Sequence, residues 1–465
     1  MARSLIECGW IVSMDPSIGD LRQGEILIED DRIVAVGRDL QAAHDAVIRA
    51  PDMIAMPGLV DAHLHTWQTG LRAIGCDWAH PDYFNYLHGG MATRYGPEDN
   101  YLGNLIGALN QIDGGVTTLN DFCHNITSTE QAGRSLDALE ESGIRAVFSL
   151  GAGKLPPDGE REEPFERRIN PRERVESFRK GRLAKVDALV TMALAVSGPH
   201  WSELDANRTN LKLAREMGLR SSSHATKRPE LAIAPDGYRS LLDEGLIGED
   251  HTIVHGNYLS DDELRRLIDA GVGVCSSVQT ELRGYAADPL VNRVRALGHV
   301  PALGVDVEPR VSGEMFREMQ IALLHALSVC HRDNAREGKP PFRTVPIRSR
   351  EALGWATIGG ARALGLEHRI GSLSPGKKAD IVLLDGADLN LFPVHDPVLS
   401  IVEQANQHNV DTVIIDGVVR KRGGRLAFRE DVLRRRKQEL VASVERLMGE
   451  VGYRPFEPER RAVQP

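Results

Sequence analysis

The sequence predicts an eightfold βα barrel set between two β-rich ends. Three observations carry this expectation. Short apolar runs alternate with helical stretches through the middle of the chain, the pattern of βα units around a parallel sheet. Eight such runs can be placed, near 58–62, 115–120, 144–150, 190–196, 218–223, 251–255, 271–276 and 301–305. Together they occupy about 250 residues, the usual size of such a barrel. The segments on either side have a different texture, rich in β-branched residues and turned by glycine.

Taken in order, GEILIEDDRIVAVG (24–37) is two apolar-rich runs around Asp30-Asp31, a hairpin signal. The barrel runs then follow. Ser260 with Glu263 three residues on fits a capping box. Leu264, Leu267 and Ile268 give that helix one apolar face, and Gly271 suits its C-terminal end. A polar stretch over 154–182 interrupts the pattern after the third strand, as a lid or interface insertion or as a plain solvated excursion. KKADIVLLD (377–385) and VDTVIIDGVVRKRGGRL (410–426) return to β. A charged helix and a Pro-rich tail close the chain. The expected division is 1–55, 56–368 for the barrel, 369–426, and 427–465 for the helix and tail.

Composition narrows the class of function. Of 465 residues, 42% are apolar and 26% charged, ordinary for a globular chain. Against 56 Lys and Arg stand 66 Asp and Glu, a net charge of −10, which argues against an electrostatic nucleic-acid binder. The five cysteines are scattered without a CxxC, so neither a disulfide framework nor a zinc ribbon is expected. MARSLIECGWIVSMD has no sustained apolar h-region, and no apolar run approaches the ~20 residues of a membrane span. A reducing cytoplasmic setting, without membrane or nucleic-acid polymer as partner, is expected.

The strongest chemical signal is MPGLVDAHLHTWQTG (56–70). His63 and His65 stand at i and i+2, which in a strand share a face, so both imidazoles can enter one site. They follow Leu59 and Val60 and so fall at the C-terminal end of the first strand, where barrel active sites are built. His224 ends the fifth strand in LRSSSHATKRPE, His255 the sixth in HTIVHGNYLS, and Asp306 the eighth in VPALGVDVEPR. A lone histidine there is more often a packed or hydrogen-bonded one, but this many at corresponding strand ends is not easily explained that way. Neutral imidazoles and one carboxylate suit Zn²⁺ or Fe²⁺ with a position left open for water.

These residues resemble the amidohydrolase superfamily, in its branch of chlorohydrolases, triazine hydrolases and nucleobase or nucleoside deaminases. PGLVDAHLH is a specific signature of that family; GGVTTLNDF (114–122), SGPHWSE (197–203) and RIGSLSPGKKADIVLLD (369–385) extend the likeness over nearly the whole chain. The resemblance implies a small β-sandwich made from both termini beside the barrel, and one divalent metal, zinc first and iron second. It implies His63, His65, His224 and Asp306 as metal ligands, with Asp306 also accepting the proton of the activated water. His255 would orient or polarise the reacting group. His200 and Gln68 would contact substrate, and Trp67 and Trp201 would line the pocket, with plain packing as their alternative. A homodimer or larger homo-oligomer is implied as well.

One position departs from the family pattern. Family deaminases carry Glu three residues after the fifth-strand histidine; here Lys227 stands there. Lys cannot imitate a carboxylate base at its normal pKa near ~10. Lys227 is therefore read first as a catalytic cation that binds an anion or stabilises the transition state. It can also be an acid of depressed pKa, or a solvent-facing loop residue, with Glu230 or Glu281 supplying the missing carboxylate. Asp121 and His124 form a candidate second-strand pair. Glu308 and Arg310 add charge at the mouth and hint at a polar or zwitterionic substrate.

The expected activity is hydrolysis of a C–N bond by a metal-activated water, deaminating a purine-, pyrimidine- or triazine-like ring. The alternatives are cleavage of a non-ring amide or amidine, peptide-like or from secondary metabolism, and a non-catalytic barrel kept as a binding module.

Overall fold

The computed structural model describes residues 3–153 and 164–454. Four strands precede the barrel: β1 (Arg3–Val12), β2 (Asp20–Glu29), β3 (Arg32–Gly37) and β4 (Ala46–Pro57). Then come β5 (Leu59–Leu64), β6 (Val116–Ile126), β7 (Arg145–Ala152), β8 (Val190–Val196), β9 (Arg220–Ala225), β10 (His251–His255), β11 (Gly273–Ser276) and β12 (Ala302–Leu303). These eight lie side by side in chain order, all parallel, as the sequence predicts. β5 and β10 are buried at every position, which fits strands covered on both faces.

The last strand is shorter than its sequence suggests because the chain leaves the ladder to close the cylinder. Asp306 bridges Leu64 in parallel. Its N–H donates to the His63 carbonyl at 2.8 Å, and its carbonyl accepts from the His65 N–H at 3.0 Å. Gly304 permits this approach: a Cβ there would stand 2.7 Å from the backbone N and O of His63.

Helices cover the outside. The capping box at Ser260 forms, with reciprocal 3.2 Å bonds between Ser260 and Glu263, and opens the helix Asp261–Asp269. That helix buries Leu264, Leu267 and Ile268, each contributing roughly 1.5–3 kcal/mol, and Gly271 follows at φ +86°.

The terminal segments make a second eight-stranded sheet with β13 (Ile381–Asp385), β14 (Val410–Ile415), β15 (Val418–Arg422) and β16 (Arg425–Leu426). Its order is β16-β15-β14-β13-β4-β1-β2-β3. The sheet folds over itself to make the sandwich: Arg32 bridges Lys378, and Ile6, Ile11, Ile26, Ile33, Ile381 and Leu383 fill the space enclosed. β4 has no clear signal in the sequence because Pro51 interrupts it. The structure accommodates this by a register shift against β1 between Cys8 and Trp10. Gly9 is required there, since a Cβ would lie 2.1 Å from the Pro51 carbonyl oxygen.

Arg145, at the start of β7, fastens the barrel to this sheet. Its guanidinium bonds Asp380 at 2.7 and 3.0 Å and Asp416 at 2.7 Å. The C-terminal helix Glu430–Glu450 lies on the helix Pro97–Asp113 and is tied to it by Arg446 and Ser443, both on Asp99 at 2.5 Å. Of the 154–182 stretch, residues 154–163 lie outside the described residues. The remainder forms a 3₁₀ turn, Phe165–Arg167, and the helix Arg172–Lys180. The tail beyond 454 also lies outside them. Among the described residues no helix is long and apolar enough to cross a membrane.

Candidate active site

The strand ends bring the predicted histidines together. Asp61, fully buried two residues before His63, accepts the backbone N–H groups of His63 at 3.2 Å and Val305 at 3.1 Å. It thus pins the first and last strands at the site, and burial pushes its carboxyl up to about 8. His255 and Asp306 both take left-handed backbone conformations, φ +69° and +73°. For non-glycine residues this costs of order 1–3 kcal/mol and is characteristic of functional strand ends.

The donor atoms of His63, His65, His224 and Asp306 all lie within 4.8 Å of one another. Asp306 Oδ1 is 3.1 Å from His63 Nε2 and 3.3 Å from His65 Nε2, and His224 Nε2 is 3.2 Å from His63 Nε2. His65 donates Nδ1–H to the Phe122 carbonyl at 2.8 Å, which leaves the Nε2 lone pair facing inward. Burial lowers His63 to about 4 and holds His224 well below the usual histidine range, so both are neutral, the form that ligates. Burial opposes ionisation of Asp306, but the adjoining imidazoles of His63, His65 and His255 outweigh it and hold the carboxyl well below the carboxylate range. Three imidazoles and one carboxylate converging on one point fit a single divalent ion, and the N₃O donor set suits zinc. His63→Ala should lower zinc from about one per chain to a small fraction of that on plasma emission analysis; undiminished zinc would refute this ligand set.

Above the cluster opens a cavity walled by Tyr83, Phe84, Trp201 and Tyr285, with His124, His255 and Asp306 at its lining. Phe84 and Trp201 face each other with centroids 5.2 Å apart, and Tyr285 meets His255 edge-on at 5.3 Å.

A family model, Amidohydrolase family, matches residues 54–420. The chain belongs to the amidohydrolase family. It is a hydrolase of carbon–nitrogen bonds, and its histidine–aspartate cluster fits the one divalent metal ion expected. It is 27% identical over 430 residues to a 5'-deoxyadenosine deaminase of Methanosarcina mazei, covering 90% of this chain and 93% of the relative. It is 29% identical over 431 residues to a 5-methylthioadenosine/S-adenosylhomocysteine deaminase of Symbiobacterium thermophilum, with the same coverage. Among solved structures, an adenosine deaminase from Xanthomonas campestris with bound zinc superposes with a TM-score of 0.81. That likeness covers 96% of this chain and 99% of the other at 22% identity.

Not every expected residue of this amidohydrolase faces the cavity. Gln68 is buried behind Tyr83, its amide 3.3 Å from the phenol oxygen. Trp67 is fully buried, packed edge-on against Tyr95 at 5.1 Å and tilted on His124 at 5.8 Å. His200 accepts the Lys227 N–H at Nδ1, 3.1 Å, and burial with the Lys227 charge lowers it to about 4. The Lys227 ammonium lies 4.1 Å from the centre of the Trp201 ring, and Trp201 in turn lines the cavity. None of Gln68, Trp67, His200 and Lys227 is among the lining residues. Asp121 and His124 do not pair: Asp121 takes the Asn104 amide at 2.7 Å, while His124 turns into the cavity, its ring 4.3 Å from that of His65.

Glu230 is exposed on the turn Pro229–Leu231 and is not among the residues lining the cavity. Glu281 is fully buried and serves His255 instead. One oxygen takes His255 Nδ1–H at 3.1 Å and the Ser277 N–H at 2.7 Å; the other takes Ser276 Oγ at 2.7 Å and Asn257 Nδ2 at 3.2 Å. Burial alone would lower His255, but the bond to Glu281 and the charges of Asp306 and Glu281 raise it. His255 Nε2 is thereby aimed at Asp306 Oδ2, 3.7 Å away. Glu281→Gln, which keeps an acceptor oxygen for Nδ1–H but removes the negative charge that raises His255, should cut kcat by about 10–100-fold. Unchanged turnover would show that His255 needs no such charge.

Proposed function

We propose that this amidohydrolase deaminates an aminated nitrogen heterocycle, a purine-like ring first. The observation that carries the reading is the convergence of His63, His65, His224 and Asp306 at the floor of an aromatic-walled cavity. Flat rings stack against aromatic walls, and Phe84 and Trp201, packed on each other, contribute one such wall here. Relatives named as adenosine-derivative deaminases over nine-tenths of the chain support it.

His63, His65, His224 and Asp306 would hold the metal, whose Lewis acidity lowers the pKa of a coordinated water toward ~7. Asp306 then accepts a proton from the attacking water as its oxygen bonds to the amine-bearing ring carbon. His255, aimed by Glu281, holds a proton at Nε2, hydrogen-bonds the substrate with it and keeps it through the step. The carbon–nitrogen bond breaks, ammonia leaves with the proton passed on from Asp306, and the ring keeps the oxygen. Lys227 enters this proposal through Trp201, whose ring it holds, and His200 by positioning the backbone of Lys227. Gln68 and Trp67 enter it as support behind Tyr83 and His124. The homodimer and the cytoplasmic setting belong to the same proposal, as do the barrel limits 56–368.

Ammonia release by the zinc-loaded protein, assayed against purines, adenosine derivatives, pyrimidines, triazines and amidines, tests the reading. Release from one ring class is expected. Lys227 in place of the family's Glu favours one second reading, cleavage of a non-ring amide or amidine. Amine release from that class without ammonia from any ring would replace the first reading by the second.

A further inference from the structure

The charged loop after β12 splits into two residues with opposite fates. The loop turns tightly, with the Arg310 N–H on the Val307 carbonyl at 3.0 Å. Glu308, only 2% exposed, is satisfied behind it by Thr69, by Arg72 at 3.0 Å and by Asn110 at 3.5 Å. Backbone bonds from Ala73 to the Glu308 carbonyl and from Gly75 to the Pro309 carbonyl fasten the loop to the segment after β5. Arg310 turns the other way, into the cavity. It is 5% exposed and its guanidinium lies 5.6 Å from the centre of the Tyr83 ring. Its buried Nε has no hydrogen-bond partner, and its guanidinium forms no ion pair with a carboxylate among the described residues.

A buried guanidinium without a counter-charge is costly, and removal of one partner from a buried ion pair leaves just that state. Its presence in a ligand cavity therefore marks a seat for an anion. Among the described residues Asp306 is the only carboxylate lining the cavity, and the histidine cluster already engages it. A guanidinium matches a carboxylate in shape, offering two parallel N–H donors to two oxygens.

Resting on the ring reading above, we propose that Arg310 determines specificity by binding a carboxylate carried on the ring substrate. The Tyr83 ring, within reach of Arg310, is the surface along which ring and carboxylate would lie.

Benzoate and benzamide, a planar acid and its neutral match, are the probes. Their binding to the zinc-loaded full chain is measured by calorimetry, with melting curves as the check on folding. The wild-type protein should bind benzoate at least about tenfold more tightly than benzamide, and Arg310→Met should erase that preference. Arg310→Lys, which keeps the charge without the fork, should restore part of it. Equal wild-type affinities would overturn the proposal. So would a benzoate preference that survives Arg310→Met, because the carboxylate would then sit on the metal or elsewhere. If Arg310→Met fails to fold, Arg310→Lys against wild type decides, and an undiminished preference in Arg310→Gln overturns the proposal. Binding needs no turnover, so a wild-type benzoate preference lost in Arg310→Met, with no ammonia released from any ring, would sink the reaction while leaving the anion seat standing.

Discussion

Asp306→Asn is expected to lower kcat by about 10²–10⁴-fold while leaving the barrel folded. Asn keeps the shape of the side chain and the backbone bridge to Leu64, so closure of the cylinder is retained. What disappears is the negative charge on which His63 and His65 converge at 3.1 and 3.3 Å, and with it the carboxylate proposed as the base, which faces His255. Zinc content should fall as well, because one of four donors becomes a weak amide. The measurement pairs kcat with circular dichroism and zinc analysis on one preparation. Wild-type turnover in Asp306→Asn would remove this carboxylate from the mechanism.

The second large effect concerns stability. Arg145 is 2% exposed, and Asp380, its bidentate partner, is 4% exposed. Arg145→Met leaves the Asp380 carboxylate buried without its counter-charge, a loss of about 3–5 kcal/mol. Asp380 also accepts the Asp416 N–H at 2.8 Å, and its carbonyl takes the Gly58 N–H at 3.0 Å, so the damage falls where sandwich and barrel join. Urea unfolding would read it, and Arg145→Met with Asp380→Asn should recover part of the loss. A cost below about 1 kcal/mol would mean that apolar packing alone holds the two units together.

Much of this site was legible because strand periodicity is simple. His63 and His65 share a face by spacing alone, and His224, His255 and Asp306 close apolar runs of the right length. Gln68 and Trp67 were not legible in this way. They lie on the 3₁₀ turn Thr66–Leu71, which curls off the strand end and buries both behind the wall. Tyr83 and Phe84 sit on the short π-helix Tyr83–His88, whose i→i+5 winding follows no ordinary helical period, although aromatic residues are dense over 78–95. Tyr285 follows a short helix and had no such cue. The sequence showed the charges of Glu308 and Arg310 but not their partners. Which charge is neutralised depends on Thr69, Arg72 and Asn110, brought there only by folding. The order of the sandwich strands was hidden for a similar reason, since β1 and β4 pair in parallel across a proline.

The cylinder is sealed where its last and first strands meet, and that seam is made by the residues proposed to hold the metal. The bonds between Asp306 and the His63 and His65 backbones are therefore both a hoop joint and a chelate frame. An ion gripped by these side chains acts as a rivet through the joint: it binds the closed hoop and has no comparable hold on an open one. Metal occupancy then reports whether the barrel has finished closing. A chain whose final strand is misregistered is recognisable as one that takes up no metal, before any substrate is offered.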